Sequence, residues 1–130
     1  MARRAWTEAE EEKLLDNITS LVDAGVWQGE HGGMIPASFE VLQHQMTAAF
    51  LQGGFTKNII EGKIKKWKET YFTIEDMMLT PGFGWNPNEN RLVVDNEDWN
   101  EFVRVNPRAR QMRGMQFSHF NRWAHCFRRH

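Results

Sequence analysis

The sequence predicts an all-α fold with a three-helix core, a long third helix and a C-terminal helical extension. Apolar residues recur at alternating steps of four and three along residues 56–79, which is the spacing of one helix face. The turn Gly53-Gly54 separates this stretch from the helical pattern before it. Such a short connection between helices is typical of a helix-turn-helix. We therefore expect one domain over residues 1–130, with core helices at about 7–79 and an extension at about 92–130.

The composition excludes several classes of protein. The chain has 130 residues and one cysteine, Cys126, which excludes an internal disulfide and a cysteine-rich zinc site. No apolar run approaches the ~20 residues that span a bilayer. Arg3 and Arg4 are followed by no apolar segment of the kind found in a secretory signal. These observations predict an intracellular protein that has no membrane partner.

The charge is distributed unevenly. Residues 1–55 hold three Lys/Arg and eight Asp/Glu, a net charge of −5, whereas residues 56–130 hold thirteen and nine, a net charge of +4. From Phe102 to the end there are seven arginines and no acid. Such asymmetry favours a polyanionic partner. An alternative stays open, in which solvated helix faces merely differ in sign.

The first helix is predicted from Thr7 to Gly25. Thr7 and Glu10 have the spacing of a capping box, and the acids of the first turn suit the helix dipole. Gly25 is a natural C-terminal stop. The buried stripe is expected to consist of Leu14, Leu15, Ile18, Leu21 and Val22.

A glycine-rich loop over residues 26–36 leads to a second helix, predicted from about Ser38 to Gln52. Its inward residues are expected to be Phe39, Leu42, Met46, Ala49 and Phe50. Thr56 then caps the third helix, whose buried seam is Ile60, Ile64, Trp67, Tyr71, Ile74 and Met78. At 100° per residue, the side opposite Ile60 carries Asn58, Gly62, Lys65 and Glu69, with Lys57 and Lys68 on one edge and Lys63 and Lys66 on the other.

Residues 80–87, which include Gly82-Phe83-Gly84-Trp85, are predicted to form a turn-rich loop. Leu92-Val93-Val94 forms a short extended piece, and Asn96 caps a fourth helix that ends before Pro107. A helical turn is expected near residues 107–111. A final helix from about Gln116 carries Phe117, Phe120, Trp123 and Phe127. The tryptophans are expected in the core, because five of the six lie at periodic or motif core positions; Trp27, in the first loop, does not.

These motifs together resemble the plant and fungal Myb/SANT-like domain, which is allied to Harbinger-type transposons and to trihelix proteins. The resemblance begins at Trp6-Thr7 and includes Trp67-Lys68, Gly82-Phe83-Gly84-Trp85-Asn86 and Trp99. Pro107, Ala109, Phe117 and Phe127 resemble the family's ending. Thr80-Pro81, Asn86 and Gly62 depart from the family pattern, and Gly62 lies on the surface that would read DNA.

The resemblance implies a nuclear DNA-binding or transposon-associated protein whose third helix is the recognition helix. Asn can contact adenine and Lys can contact guanine, while other cations meet phosphates. The predicted DNA-binding residues are Lys57, Asn58, Lys63, Lys65, Lys66, Lys68, Arg3 and Arg4. Further phosphate or partner contacts are assigned to Arg104, Arg108, Arg110, Arg113 and Arg122. The partners are double-stranded DNA and a transposase or other nuclear protein.

Other interpretations remain beside this one. The same fold serves as a protein-interaction module in SANT-type relatives, the arginines suit an acidic protein equally, and lysines also solubilise an exposed helix. His119, His125 and His130 surround Cys126, but their spacing matches no zinc pattern, so no metal is expected. No phosphate loop or nucleophile motif is present in the sequence. We predict neither an enzyme nor a cofactor.

Overall fold

The fold is that of a computed structural model, which describes residues 4–29 and 34–128. These residues are mostly helical, as predicted, but a small two-stranded sheet accompanies the helices. The elements in chain order are α1 (Glu8–Asp23), α2 (Pro36–Ala49), α3 (Lys57–Met78), β1 (Gly84–Asn86), β2 (Arg91–Val93), α4 (Asn96–Val105), a 3₁₀-helix (Pro107–Gln111) and α5 (Phe120–Phe127). None of the helices in this described part is long and apolar enough to cross a membrane.

The chain divides into two compact units. The first unit combines the residues up to Lys66 with those from His125 onward, and the second runs from Trp67 to Ala124. Helices α3 and α5 therefore each contribute residues to both units. The assignment of the whole chain to one domain stays a prediction.

Helix α1 begins with the predicted capping box. The Thr7 hydroxyl oxygen accepts a hydrogen bond of 3.1 Å from the backbone N–H of Glu10. The Glu10 carboxylate in turn accepts one of 2.9 Å from the backbone N–H of Thr7. Leu14, Leu15 and Ile18 are fully buried in the first unit. The outer end of the predicted stripe, Leu21 and Val22, is only half-buried. The helix ends before Gly25, whose φ is 75°.

Helix α2 starts two residues earlier and ends three residues earlier than predicted. Pro36 occupies its first turn, where proline is favoured because its missing N–H needs no partner there. Phe39, Leu42 and Met46 are buried as expected. The prediction for Ala49 was wrong, since this residue is exposed.

Trp27 is also part of the core, although it lies at no periodic core position of the sequence. Its side chain is 2% exposed, and its ring centroid lies 6.1 Å from that of Phe39. Two hydrogen bonds hold the backbone around it: the Ser38 hydroxyl donates to the Val26 carbonyl at 2.8 Å, and the Ile35 N–H donates to the Trp27 carbonyl at 3.1 Å. A loop residue thus enters the core of the first unit, which periodicity cannot reveal because the loop has no period.

Helix α3 has 22 residues and is therefore about 33 Å long. The Thr56 hydroxyl oxygen accepts a hydrogen bond of 3.2 Å from the Ile59 N–H, which confirms the predicted cap. The predicted seam is buried from Ile60 to Ile74. At its end, however, Met77 is fully buried and Met78 is only half-buried. Both lie on nearly the same side as Ile74, so the spacing alone could not choose between them.

The segment predicted as a Gly-Phe-Gly-Trp loop contains a strand. Strands β1 and β2 pair antiparallel, with Trp85 opposite Leu92. The Asn86 side-chain oxygen accepts hydrogen bonds from the N–H groups of Asn88 and Glu89, which closes the turn between the strands. Phe83 and Trp85 pack against one hydrophobic cluster of the second unit, whose buried members are Met77, Leu92, Trp99 and Ala109.

The C-terminal helices differ from the prediction at their starts. Asp95, and not Asn96, caps α4, because its carboxylate accepts a 2.8 Å hydrogen bond from the Asp98 N–H. The predicted helical turn at residues 107–111 is confirmed as the 3₁₀-helix. Helix α5 begins at Phe120 and not near Gln116. The backbone at Phe117 instead donates a 2.8 Å hydrogen bond to the Asn90 carbonyl.

Candidate nucleic-acid interface

The part of α3 that lies in the first unit has one buried and one exposed side. Ile60 and Ile64 are fully buried. The exposed residues of this part are Asn58, Gly62, Lys65 and Lys66, which we call the α3 surface. Glu69, on the part of the helix in the second unit, is exposed as well. The structure therefore agrees with the predicted positions opposite Ile60.

Gly62 stands in the middle of the α3 surface. Asn58 precedes it by four residues, and Lys65 and Lys66 follow by three and four. Residues at these spacings are neighbours on a helix. The α3 surface consequently presents one amide and two ammonium groups around a position without a side chain.

Lys57 and Lys68 are less exposed than Lys65. The Lys57 ammonium lies 4.0 Å from the Glu61 carboxylate, and both side chains are more than 40% exposed. An exposed pair of this kind contributes less than about 1 kcal/mol, so Lys57 remains able to contact an anion. Lys68 is half-buried and belongs to the second unit.

Lys63 faces another helix. Its ammonium lies 2.6 Å from the Glu11 carboxylate of α1 and 5.5 Å from the centroid of the Trp6 ring. The side chains of this ion pair are 19% and 23% exposed, respectively. The charge of Lys63 is therefore compensated inside the first unit, where it joins α3 to α1.

Arg4 is held in a similar way. Its guanidinium forms a 2.9 Å ion pair with Glu10, donates a hydrogen bond to the Gly53 carbonyl and lies 4.0 Å from the centroid of the Phe55 ring. These contacts tie the N-terminal segment to α1 and to the turn between α2 and α3. Arg3 lies outside the described residues.

Sequence patterns gave no indication of these two ion pairs. Glu10 and Glu11 were explained by the helix dipole and the capping box alone. Lys63 lies on α3, which only the fold brings near Glu11, and Arg4 precedes Glu10 by six residues, a spacing that fits no helical or strand period. Nothing in local spacing links Arg4 with Gly53 or Lys63 with Glu11.

The arginines of the second unit occupy varied environments. Arg104 forms a 2.6 Å ion pair with Glu101. The hydrogen bond and charge of this pair raise the pKa of Arg104 and lower that of Glu101. Arg113 donates a 3.1 Å hydrogen bond to the Val94 carbonyl. Arg108 and Arg110 are exposed on the 3₁₀-helix, and Arg122 is half-buried.

The predicted histidine and cysteine positions lie in separate surroundings. His125 forms a 2.9 Å contact with the Asp23 carboxylate of the first unit. Cys126 is buried, with its sulfur 3.7 Å from the Thr19 hydroxyl oxygen. In the second unit the His119 ring lies 6.1 Å from that of Trp67. Across residues 4–29 and 34–128, no three His, Cys, Asp or Glu side chains are grouped to hold a metal ion. His130 lies outside these ranges.

The family model for the Myb/SANT-like DNA-binding domain matches residues 5–102. The matched range includes α1, α2, α3, the hairpin and the first part of α4. It ends before the 3₁₀-helix and α5, so the resemblance noted at Pro107, Ala109, Phe117 and Phe127 lies beyond it. The chain matches no curated protein and no solved structure. Because the match covers most of the sequence, the chain belongs to the Myb/SANT-like DNA-binding domain family.

Proposed function

We propose that the chain is a double-stranded DNA-binding module of a nuclear regulator or a transposon-derived protein. In this proposal α1, α2 and α3 act as a helix-turn-helix, and α3 lies in the major groove. The observation that carries it is the α3 surface, with Asn58, Lys65 and Lys66 exposed around Gly62, in a member of a DNA-binding family. An α-helix fits the width of the major groove.

The chemistry of the α3 surface suits base edges and phosphates together. The Asn58 amide can donate to and accept from adenine, and the Lys65 ammonium can donate to the acceptors of guanine. Each good pair contributes roughly 1–3 kcal/mol of discrimination. Lys57, Lys66 and Lys68 would contact phosphates, which position the helix without reading sequence.

Two of the predicted DNA-binding residues are already engaged in ion pairs within the protein. Lys63 and Arg4 already direct their charge to Glu11 and Glu10. A phosphate contact would have to replace an interaction that stabilises the first unit. We therefore assign both residues to supporting the fold that presents the α3 surface. Arg108 and Arg110 are assigned to phosphate contacts of lesser weight, because they lie beyond the matched range.

The experiment compares two charge reversals of equal size. Lys65→Glu changes the α3 surface. Lys13→Glu is the control, because it changes an exposed lysine of α1 that is not part of the α3 surface. Binding is measured at two salt concentrations with a duplex recovered from a random pool at low salt. We expect Lys65→Glu to weaken binding by more than roughly tenfold, the size of one lost base or phosphate contact plus repulsion. Lys13→Glu should change binding by less than about threefold, because Lys13 lies on α1, outside the α3 surface, and its charge is screened by salt.

Two results would contradict the proposal. One is equal weakening by the two variants, which would indicate only a general dependence on net charge. The other is the failure of the unmodified chain to bind any duplex at low salt. Localisation is tested separately, by imaging a fluorescent fusion of the full chain, where we expect nuclear accumulation.

A second candidate function is a SANT-type protein-interaction module. It is favoured by the exposed acids of α1, Glu8, Asp16 and Asp23, which would repel a phosphate backbone. The expected partner would be a transposase or another nuclear protein. A complex reconstituted from purified proteins that survives Lys65→Glu combined with Lys66→Glu would support this function. Tight duplex binding with no such complex would remove it.

A further inference from the structure

Gly62 occupies a position where the fold itself does not require glycine. It lies inside α3, is exposed, and a Cβ built on it meets no atom within 4 Å beyond the nearby backbone of the helix. Gly82 differs, since its φ is 90° and a Cβ would clash with the Asp98 carboxylate. Among residues other than proline, glycine is the least favourable in a helix interior. The packing within the chain gives no physical reason for glycine at position 62.

The neighbours of Gly62 suggest what its missing side chain does. The amide of Asn58 is carried on a short side chain, so it reaches a base edge only if the helix backbone lies close to the base. The ammonium of Lys65 is carried on four methylenes and can adapt to a larger separation. A methyl group at position 62 would hold the helix away from the floor of the groove. Contacts through Asn58 would be lost before contacts through Lys65.

We propose that Gly62 is a specificity-determining position, at which the α3 backbone approaches the bases closely enough for Asn58 to read its base. This inference rests on the proposed DNA-binding function and adds to it the reason for the glycine. Gly62 acts through the placement of Asn58 and not through a polar contact of its own. It follows that its substitution changes specificity and leaves the phosphate contacts in place.

The test uses Gly62→Ala with Ser20→Ala as a matched control. Ser20 is exposed in the last turn of α1, and its hydroxyl donates a hydrogen bond of 3.2 Å to the Asp16 carbonyl of the same helix. Alanine improves helix propensity at both positions. Affinities are measured for the selected duplex and for a scrambled duplex of the same composition, each at two salt concentrations. Thermal unfolding is followed for both variants.

We expect both variants to unfold at higher temperature than the unmodified chain. Gly62→Ala should weaken binding to the selected duplex by on the order of tenfold, the discrimination of one base contact. Binding to the scrambled duplex should stay within about twofold, and the salt dependence should be unchanged because it counts phosphate contacts. Ser20→Ala should leave both affinities unchanged. A repeated selection with Gly62→Ala should lose preference at one base pair.

Three other outcomes would overturn the inference, and the two duplexes distinguish them. If Gly62→Ala binds both duplexes like the unmodified chain, the close approach is wrong and the proposed function stands. If both duplexes weaken equally, Gly62 affects docking and not specificity. If the unmodified chain binds no duplex at low salt, the inference and the proposed function fail together.

Discussion

Lys63 and Lys65 stand two residues apart on α3, and the fold gives them different surroundings. Lys63 lies 2.6 Å from Glu11 and against the Trp6 ring, with 19% of its side chain exposed. Lys65 is exposed and forms no ion pair with any of the described residues. Two cations that look equivalent in the sequence therefore have different roles, one in holding α1 to α3 and the other in presenting charge to a partner. A lysine-rich helix has less available charge than its composition indicates.

The largest expected effect is that of replacing Arg4, whose charge, like that of Lys63, is paired with a carboxylate of α1. Arg4→Ala removes the ion pair to Glu10, the hydrogen bond to Gly53 and the contact with Phe55. The loss of these three contacts, which leaves the Glu10 carboxylate without a cation beside it, should lower the free energy of unfolding by about 2–3 kcal/mol. Urea denaturation measures the free energy of unfolding. The control is Lys65→Ala, which should change it by less than about 0.5 kcal/mol. Equal losses in the two variants would break the comparison.

Gly82 and Gly62 extend the contrast to glycines, and Gly82→Ala should have the next largest effect. A side chain at Gly82 must adopt a φ of 90° and displace the Asp98 carboxylate. We expect a loss of about 1–3 kcal/mol in the free energy of unfolding, typical of backbone strain. The paired Gly62→Ala variant should instead gain up to about 1 kcal/mol. Opposite signs in thermal unfolding are the expected result, and a loss at both positions would contradict it.

A double-mutant cycle on Lys63 and Glu11 sharpens the central comparison directly. Lys63→Ala, Glu11→Ala and the double variant are compared by chemical denaturation. We expect a coupling energy of about 1 kcal/mol, at the upper end for ion pairs that are partly shielded from solvent. The same cycle on Lys57 and Glu61, which are 4.0 Å apart and more exposed, is the control and should give roughly 0.3–0.5 kcal/mol for a helical pair. Indistinguishable coupling would mean that burial of Lys63 adds nothing.

The smallest effect concerns Asp98, a half-buried carboxylate that belongs to neither the Lys63 nor the Lys65 surroundings. Desolvation, and then the charge of Asp95, raise the pKa of Asp98. Because the folded state holds this proton more tightly than the unfolded state, stability falls as pH rises through the range between the two pKa values. Asp98→Asn should therefore raise the melting temperature slightly at pH 7. The difference should vanish in acid, below both pKa values. A destabilised variant at pH 7 would show that the Asp98 charge is favourable at the start of α4.

Local patterns predicted the features that depend on residues close in sequence. Thr7 and Glu10 form their capping box because a cap needs only a residue and its third neighbour. The seam from Ile60 to Ile74 is buried because a helix repeats every 3.6 residues. The exposed positions of Asn58, Gly62 and Lys65 follow from the same period. The roles of these three in binding DNA stay predictions.

At two places the sequence did not determine which of two adjacent residues is buried or caps a helix. Met77 and Met78 lie on either side of the direction in which Ile74 points, three and four residues after it, and Asp95 and Asn96 can both cap a helix. The choice at each pair depends on packing and on the angle at which the chain enters the helix. Leu92 and Val93 were expected to be extended, but β1 and its pairing with β2 were missed, since three-residue strands carry too little periodicity to be recognised.

By itself the sequence determined the helical class, the caps and period of α1 and α3, and the family to which the chain belongs. Tertiary structure alone decided that Trp27 is buried, that Arg4 donates a hydrogen bond to the Gly53 carbonyl, and that Lys63 pairs with Glu11. The physical reason is that hydrogen bonds and side-chain periods within a helix act over three or four residues. Ion pairs and burial depend on distances between segments far apart in the chain, which exist only once the first unit has folded.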